Sequence, residues 1–283
     1  SSPSLISPTV PLLLFYIAGV MLQMYSMMLV KLGGSVITDK MAYRTLREEV
    51  LRRLAEEISS SGESVIIVHG AGSYGHVLAA QHQLQKGFHE NAQLMGAAQV
   101  MEDVRALNLS VITALRGAGV PSVSLPPSAV ACLSAGELSR LDLPVFRRYV
   151  DLGIVPVTFG DVALDDRRGF GICSGDQLME ALAKEFSPQR IIFCTDVDGV
   201  FDRDPNIEPG ATMLQNVDRG TLDRLPRTQR CADVTGSIYA KLETMLRITS
   251  FGGEAMVING LMPGRLAAAL KGENVVGTKV MGA

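Results

Sequence analysis

The sequence lacks several features that mark large classes of protein. Its 283 residues include four cysteines, which lie far apart and form no C-x-x-C pair. A disulfide framework is therefore not expected, and reduced thiols suit a cytoplasmic protein. The formal net charge is -3 and no lysine- or arginine-rich tract occurs, so a nucleic-acid partner is not expected either. We expect a globular protein that acts on small molecules.

Charged residues are missing from the first 30 positions, and the run Val10–Tyr25 is apolar enough to suggest a signal peptide or a membrane anchor. However, the basic beginning and the A-x-A-like cleavage site of a signal peptide are both missing. A membrane helix would also run without a linker into the predicted strand at Met27. We interpret residues 1–26 as an apolar extension upstream of the native protein, with a true anchor as the less favoured alternative, and expect no membrane partner.

From Met28 onward, short runs rich in β-branched residues alternate with amphipathic stretches such as residues 43–60. This alternation predicts an αβα sandwich around a mostly parallel sheet. Because ligands of such sheets bind beyond the carboxyl ends of the strands, the loops after the apolar runs are the candidate sites. The predicted strands are "MLVKL", "SVIIV", "VPSVSL", "GIVPVTF", "RIIFCT", "AMVIN" and "VVGTKV".

The first such loop lies in "KLGGSVITDK", where Lys31 and Lys40 flank the turn Gly33-Gly34-Ser35. Paired glycines allow backbone N–H groups to turn toward one anion, and the lysines would supply compensating charge. The pattern indicates a phosphate cradle. A tight turn with solvated lysines is the alternative.

The second loop, "HGAGSYGH", matches the dinucleotide-binding pattern G-x-G-x-x-G by spacing alone. A dinucleotide-binding unit should contain the first strand of its fold and an acidic residue at the end of the next strand, about 20 residues further on. Neither condition is met, so we predict an anion-binding turn followed directly by His76. A hydrogen bond from His76 to the anion is one hypothesis and a surface histidine is the other. The spacing of the four histidines fits no metal site, and none is expected.

Two further loops carry acidic residues. Asp176 opens a predicted helix in "SGDQLMEALA", where it could serve as a first-turn carboxylate or orient lysines. Asp196 and Asp198 follow a strand in "TDVDGVFDRDP". This stretch is similar to the nucleophile motif of haloacid-dehalogenase-type phosphatases, but the later paired-acid loop of those enzymes is missing. We therefore expect both residues to lie beside a bound nucleotide.

Together these residues suit phosphoryl transfer. The transition state spreads charge over the transferred group, and lysines, backbone N–H groups and Mg²⁺ neutralise that charge. An acceptor that is itself an ionised phosphate or carboxylate needs no general base. The P-loop pattern G-x-x-x-x-G-K-[ST] does not occur in the sequence, so P-loop chemistry is excluded.

The motifs quoted above, together with "GDV" and "DVTGSIYAK" and in this order, resemble the amino acid kinase superfamily, specifically its isopentenyl phosphate kinase branch. The resemblance covers residues 27–283. It implies an N-terminal substrate lobe of about 27–174, a C-terminal nucleotide lobe of about 175–283, and a homodimer. The implied reaction is ATP-dependent phosphorylation of isopentenyl phosphate in the alternative mevalonate route, with Mg²⁺ held mainly through the nucleotide phosphates.

The resemblance also implies roles for single residues. His76, Ala71 and Gly175 would bind the acceptor phosphate. Lys31 would contact the transferred group and Lys40 would stabilise the transition state, and Asp176 would hold Lys31 and Lys241 in place. The implied ATP-binding residues are Lys31, Gly33, Gly34, Ser35, Gly72, Asp196, Gly236, Ser237 and Lys241.

Two positions depart from the family pattern. The chain has Ala71 where the family usually has a glycine, and Ser237 where TGG is usual. Both keep a backbone N–H, but Ser237 adds a side chain close to the expected phosphates. The isoprenoid tail is expected near the helix around 95–107. A sister kinase such as fosfomycin kinase and a non-catalytic nucleotide-binding protein stay as alternatives.

Overall fold

The computed structural model describes residues 27–203, 208, 210–224 and 238–282, with the side chains of 238–241 excepted. The apolar extension 1–26, Gly236 and Ser237 lie outside the described residues. Within the described part of the chain, no helix has both the length and the apolar character needed to cross a membrane.

Helices and strands alternate through most of the chain. The helices are α1 (Gly34–Ile37), α2 (Glu48–Ser61), α3 (His76–Gln81), α4 (Ala92–Gly117), α5 (Pro127–Val130), α6 (Leu143–Asp151), α7 (Gly175–Phe186), α8 (Arg219–Arg224), α9 (Ile238–Thr249) and α10 (Arg265–Lys271). The strands are β1 (Met27–Leu32), β2 (Ser64–His69), β3 (Ser122–Ser124), β4 (Ala131–Ser134), β5 (Glu137–Leu141), β6 (Val155–Phe159), β7 (Asp161–Asp165), β8 (Gly169–Cys173), β9 (Arg190–Thr195), β10 (Asn216–Val217), β11 (Glu254–Asn259) and β12 (Gly277–Val280).

The main sheet of the described residues has eight strands in the order β10-β12-β11-β9-β1-β2-β6-β3. Strands β11 and β12 run antiparallel, and the other neighbouring pairs of this sheet run parallel. All seven predicted strands are present in it. The prediction of a mostly parallel sheet is confirmed.

Helices cover both faces of this sheet, because successive side chains of the central strands point to opposite sides. On β1, Leu29 packs in one apolar cluster with Phe146 of α6 and Leu178 of α7. Its neighbour Val30 packs in the other cluster, with residues of α2, α4 and α10. The predicted αβα sandwich is therefore confirmed.

A second sheet of four strands, in the order β5-β4-β7-β8, was not predicted from the sequence. Polar residues or glycines interrupt these strands, as in "ELSRL" of the largely exposed β5 and "GFGIC" of β8, so they lack the continuous apolar runs of the main sheet. Asp165 stabilises the turns of this sheet, because its carboxylate accepts hydrogen bonds from the backbone N–H groups of Ala135, Gly136, Arg167 and Arg168.

Helix α2 begins later than the amphipathic pattern predicted. The helix was expected over residues 43–60, but it starts at Glu48. Residues 43–47 form a loop instead, because Thr38 pairs with Leu46 as an antiparallel bridge and Arg44 adopts a left-handed backbone with φ of 51°. Periodicity alone did not show this local tertiary pairing.

Candidate active site

Two glycine loops meet at the carboxyl edge of the main sheet. A Cβ atom at Gly34, after β1, would lie 2.5 Å from the backbone nitrogen of Gly72, and a Cβ atom at Gly70, after β2, would lie 2.6 Å from that of Gly34. Only glycine allows two backbones to approach this closely. The N–H group of Gly33 donates to the carbonyl oxygen of Cys194 at 2.9 Å, which joins the first loop to the end of β9.

Thr38 holds the two glycine loops together. Its hydroxyl donates to the carbonyl oxygen of Gly34 at 2.6 Å and accepts from the backbone N–H of Ser73 at 3.0 Å. The side chain is completely buried. Sequence reasoning missed Thr38, because a threonine a few residues beyond a glycine turn has no distinctive spacing.

Lys31 and Asp176 form an ion pair at the centre of this edge. Lys31 lies near the end of β1, opposite Val68 and Phe193 of the neighbouring strands. Asp176 lies in the first turn of α7, which begins with a capping box between Ser174 and Gln177. The side chains are 20% and 43% exposed respectively, so the pair is accessible to solvent at the carboxyl edge of the main sheet, the region that we call the cleft.

A second ion pair joins Lys40 to Asp196, with 2.8 Å between Nζ and Oδ2. Burial raises the pKa of Asp196, but hydrogen bonds from Lys40 and Ser35 outweigh it and hold the pKa below its usual value. This pair connects the loops after β1 and β9 and joins Lys40, to which the resemblance gives a role in the transition state, to Asp196, to which it gives a role in ATP binding.

His76 is the first residue of α3 and is exposed. Desolvation by the surrounding protein atoms and the positive charge of Lys31 lower the pKa of His76. The lowered pKa favours the neutral imidazole, which offers one N–H group to a ligand. The proximity to Lys31 brings His76 to the same cleft as the ion pair of Lys31 and Asp176.

The backbone nitrogen atoms of Ala71 and Gly175 both lie close to Gly160, the residue that separates β6 from β7. A Cβ atom at Gly160 would lie 3.6 Å from the backbone nitrogen of Gly175 and 3.9 Å from that of Ala71. The methyl group of Ala71 is accommodated by Gly75, where an added Cβ atom would lie 2.6 Å from it. The departure at Ala71 therefore has a local compensation.

Only the backbone of Lys241, in α9, is described. The predicted contact between Asp176 and the side chain of Lys241 therefore lies outside the described part of the chain. The segment 95–107 belongs to α4. The inner side of α4 contributes Val100 and Val104 to an apolar cluster that is bordered by Leu78 and Met101.

Asp198 has different partners from Asp196. It accepts hydrogen bonds from Asn259 at 3.1 Å and from Arg265 at 2.6 Å, and these bonds lower the pKa of Asp198. Sequence reasoning missed both partners, Asn259 at the end of β11 and Arg265 at the start of α10. The ion pair of Asp198 with Arg265 therefore joins the loop after β9 to the start of α10.

His69 lies beneath the second glycine loop. Its Nδ1 donates to the carbonyl oxygen of Gly70 at 3.0 Å, and its Nε2 accepts from the side-chain amide of Asn108 at 3.1 Å. We assign this tautomer because a carbonyl oxygen can only accept. Desolvation by complete burial lowers the pKa of His69 to about 4. A neutral histidine therefore fixes the loop to α4.

Asp161 is a buried carboxyl group at the beginning of β7. Oδ1 accepts from the N–H of Val162 at 2.8 Å, whereas Oδ2 has no hydrogen-bond partner among the described residues. The nearest cation on Oδ2 is Arg105, with 3.6 Å between Nη1 and Oδ2. Desolvation outweighs the charge of Arg105 and raises the pKa of Asp161 to about 7.

This carboxyl group should make the wild-type protein lose stability as the pH rises. The native pKa lies above the unfolded value, so the native state holds the extra proton and the stabilisation fades as the pH approaches 7. We expect the free energy of unfolding of the wild type to fall by about 2 kcal/mol relative to Asp161→Asn between pH 5 and pH 8. Urea unfolding at both pH values measures this difference.

The comparison isolates Asp161, because His69 has a depressed native pKa and makes stability rise with pH in both proteins. Asp151→Asn, a substitution of an exposed carboxylate at the end of α6, is the matched control and should show the wild-type pH dependence. Equal pH dependence in the wild type and Asp161→Asn would contradict the prediction.

The fold and the loops define a class of protein: an αβα sandwich whose glycine loops and lysines suit phosphorylated ligands at the carboxyl edge of its sheet. Comparison with known proteins agrees with that class. The amino acid kinase family model matches residues 26–259.

Among individual relatives, the isopentenyl phosphate kinase of Methanothermobacter thermautotrophicus is 40% identical, over 90% of this chain and 99% of its own length. That of Thermoplasma acidophilum is 38% identical, over 90% of this chain and 100% of its own length. An X-ray structure of an isopentenyl phosphate kinase superposes with a TM-score of 0.79 at 35% identity, covering 90% of this chain and 100% of the other.

The chain belongs to the amino acid kinase family and, within it, to the isopentenyl phosphate kinases. It is a phosphotransferase.

Proposed function

We propose that the protein transfers the terminal phosphoryl group of ATP to isopentenyl phosphate and releases isopentenyl diphosphate and ADP. The observation that carries the proposal is the ion pair of Lys31 and Asp176 at the edge where the two glycine loops meet, with His76 near enough for the charge of Lys31 to lower the pKa of the histidine. Relatives named isopentenyl phosphate kinase at 38% and 40% identity support the same acceptor and favour it over the fosfomycin kinase alternative.

The acceptor phosphate would bind to the N–H groups of Ala71 and Gly175 and to the imidazole of His76. Because this phosphate is already ionised, its oxygen attacks the terminal phosphorus of ATP without a general base. Lys31 would lie between the two phosphates and neutralise the charge that develops on the transferred group. Asp176 would fix the direction of the lysine side chain through the ion pair.

The nucleotide phosphates would bind to the loop Gly33-Gly34-Ser35 and to Gly72, with Lys40 and Asp196 at its margin. Gly236, Ser237 and Lys241 would complete this site. Mg²⁺ would be held through the nucleotide phosphates rather than by a protein cage, because Asp176 and Asp196 each already pair with a lysine. The ion would supply additional neutralisation of phosphate charge when bound.

The isoprenoid tail would extend from His76 toward the apolar cluster on the inner side of α4. Leu78, Ala79, Met101 and Ile172 are partly buried at the border of this cluster, so apolar surface is available for a short hydrocarbon chain. Further parts of the proposal are a substrate lobe that ends near residue 174, a homodimeric assembly and a cytoplasmic location.

An ATP-consumption assay with four candidate acceptors tests the proposal. We expect turnover with isopentenyl phosphate and none with fosfomycin, glutamate or carbamate, since the pocket combines a phosphate cradle with an apolar wall. The diphosphate product can be identified by phosphorus NMR. Turnover with one of the other three acceptors and none with isopentenyl phosphate would overturn the assignment.

A further inference from the structure

Three side chains contact the buried carboxylate of Asp103 on α4. The Oδ2 atom of Asp103 accepts a hydrogen bond from the hydroxyl group of Tyr43. Its Oδ1 atom lies 3.0 Å from Nη1 of Arg44 and 2.9 Å from the amide nitrogen of Gln99. The side chain of Asp103 is completely buried. A buried carboxylate needs such partners, so this contact fixes the positions of Tyr43 and Arg44.

Tyr43 and Arg44 belong to the same loop as Lys40, which we call the Lys40 loop (residues 38–47). The loop is closed at its base by the N–H group of Asp39, which donates to the carbonyl oxygen of Thr45 at 2.9 Å. Its tip projects into solvent, with Met41 92% exposed. Lys40 itself is 61% exposed and contacts Asp196. A pair this exposed stabilises a loop only weakly.

Arg44 also connects the Lys40 loop to the second glycine loop. The backbone N–H group of Arg44 donates to the carbonyl oxygen of Ser73 at 3.3 Å. The guanidinium carbon of Arg44 lies 5.7 Å from the centre of the Tyr74 ring. The left-handed backbone of Arg44, with φ of 51°, is unfavourable for a residue with a long side chain. The loop keeps this conformation because the contacts of Arg44 outweigh its strain.

We propose that Asp103 is a positioning residue that docks the Lys40 loop on α4 and thereby holds Lys40 at the cleft; the kinetic consequence rests on the proposed function of Lys40. Asp103 touches neither nucleotide nor acceptor in this arrangement. It acts through Tyr43 and Arg44, which lie three and four positions after Lys40 in the chain. Without the dock, the loop would keep its backbone hydrogen bonds at Asp39 and Ser73, and Lys40 would keep its exposed contact with Asp196.

The first test measures docking without activity. The variant Tyr43→Phe/Arg44→Asn removes both loop contacts to Asp103 and leaves the buried carboxylate in place, and asparagine tolerates the left-handed backbone. We expect trypsin to cleave the native protein after Lys40 about fivefold faster in this variant, because local opening controls proteolysis. The matched control is Arg147→Asn on α6, which removes an ion pair with Glu185 of α7 at 2.6 Å. Trypsin should cleave this variant after Lys40 at the wild-type rate. An unchanged rate in the double variant would overturn the docking.

The second test separates positioning from general stability. We expect Tyr43→Phe/Arg44→Asn to lower kcat about 10-fold with a smaller change in the KM for isopentenyl phosphate, because the reacting groups lose alignment. In the Lys40→Ala background, the same two substitutions should change kcat by less than about twofold, since the lysine that they position is gone. An equal loss in both backgrounds, or an unchanged kcat in the wild-type background, would overturn the proposal.

The two proposals fail in different ways. If wild-type protein does not turn over isopentenyl phosphate, the proposed function fails, and the trypsin comparison still decides whether Asp103 docks the loop. If wild-type protein is active but Lys40→Ala keeps full activity, the role of Lys40 fails and the positioning proposal fails with it.

Discussion

Replacing Lys31 with methionine should lower kcat for phosphorylation of isopentenyl phosphate by about 10³-fold, in the range found when a charge-stabilising group is removed from a transition state. Methionine keeps an unbranched side chain of similar length, so the substitution removes mainly the positive charge. Lys31 forms an ion pair with Asp176, and its charge acts on His76, whose pKa it lowers. Steady-state kinetics with saturating ATP and isopentenyl phosphate measures the effect.

The loss should be catalytic rather than structural. Asp176 is 43% exposed and stays solvated when its partner is removed, so we expect the free energy of unfolding to change by less than about 1 kcal/mol. Lys184→Met on the outer side of α7 is the control, because it removes an exposed lysine from the helix that carries Asp176. It should have wild-type kinetics. A wild-type kcat in Lys31→Met would remove this lysine from the reaction.

The substitution His76→Ala should lower kcat/KM for isopentenyl phosphate by about 10²-fold, because a desolvated hydrogen bond to a charged phosphate is lost. The affinity for a non-hydrolysable ATP analogue should change less than about twofold, since His76 lies in the loop assigned to the acceptor and not in the loop of Gly33 and Gly34. Isothermal titration calorimetry and steady-state kinetics provide the two measurements.

Two further variants sharpen the result. His76→Asn keeps an N–H donor of similar reach and should recover part of the lost kcat/KM. His89→Ala removes an exposed histidine from the segment that precedes α4 and should have no effect on either measurement. If His76→Ala retains the wild-type rate, or if it weakens the ATP analogue as strongly as it slows turnover, the assigned role in acceptor binding is wrong.

The main sheet could be predicted from the sequence because each central strand is covered on both faces and therefore reads as a continuous apolar run. The small sheet of β4, β5, β7 and β8 could not, since polar residues or glycines interrupt its strands, as in "ELSRL" of β5 and "GFGIC" of β8. The predicted start of α2 was also wrong, because the helix begins at Glu48 and not at residue 43. Its amphipathic periodicity continues into residues 43–47, whose conformation is decided by contacts with Asp103 and Ser73.

The residue types of the candidate site were visible in the sequence, but their partners were not. Glycine turns after strands and nearby lysines follow from local backbone geometry and charge, which a short window of sequence contains. By contrast, Lys31 and Asp176 are 145 positions apart, and Lys40 and Asp196 are 156 positions apart. Their contacts exist because parallel strands bring the loops at their carboxyl ends to one edge.

The sequence by itself determined the alternating elements, the doubly covered sheet and the glycine and lysine loops, because periodicity and turn chemistry are local properties of the chain. Tertiary structure alone decided that Thr38 joins the two glycine loops, that Asp161 is buried with one oxygen lacking a hydrogen bond among the described residues, and that Asp103 receives the Lys40 loop. These features depend on burial and on partners from distant segments, which no local pattern specifies.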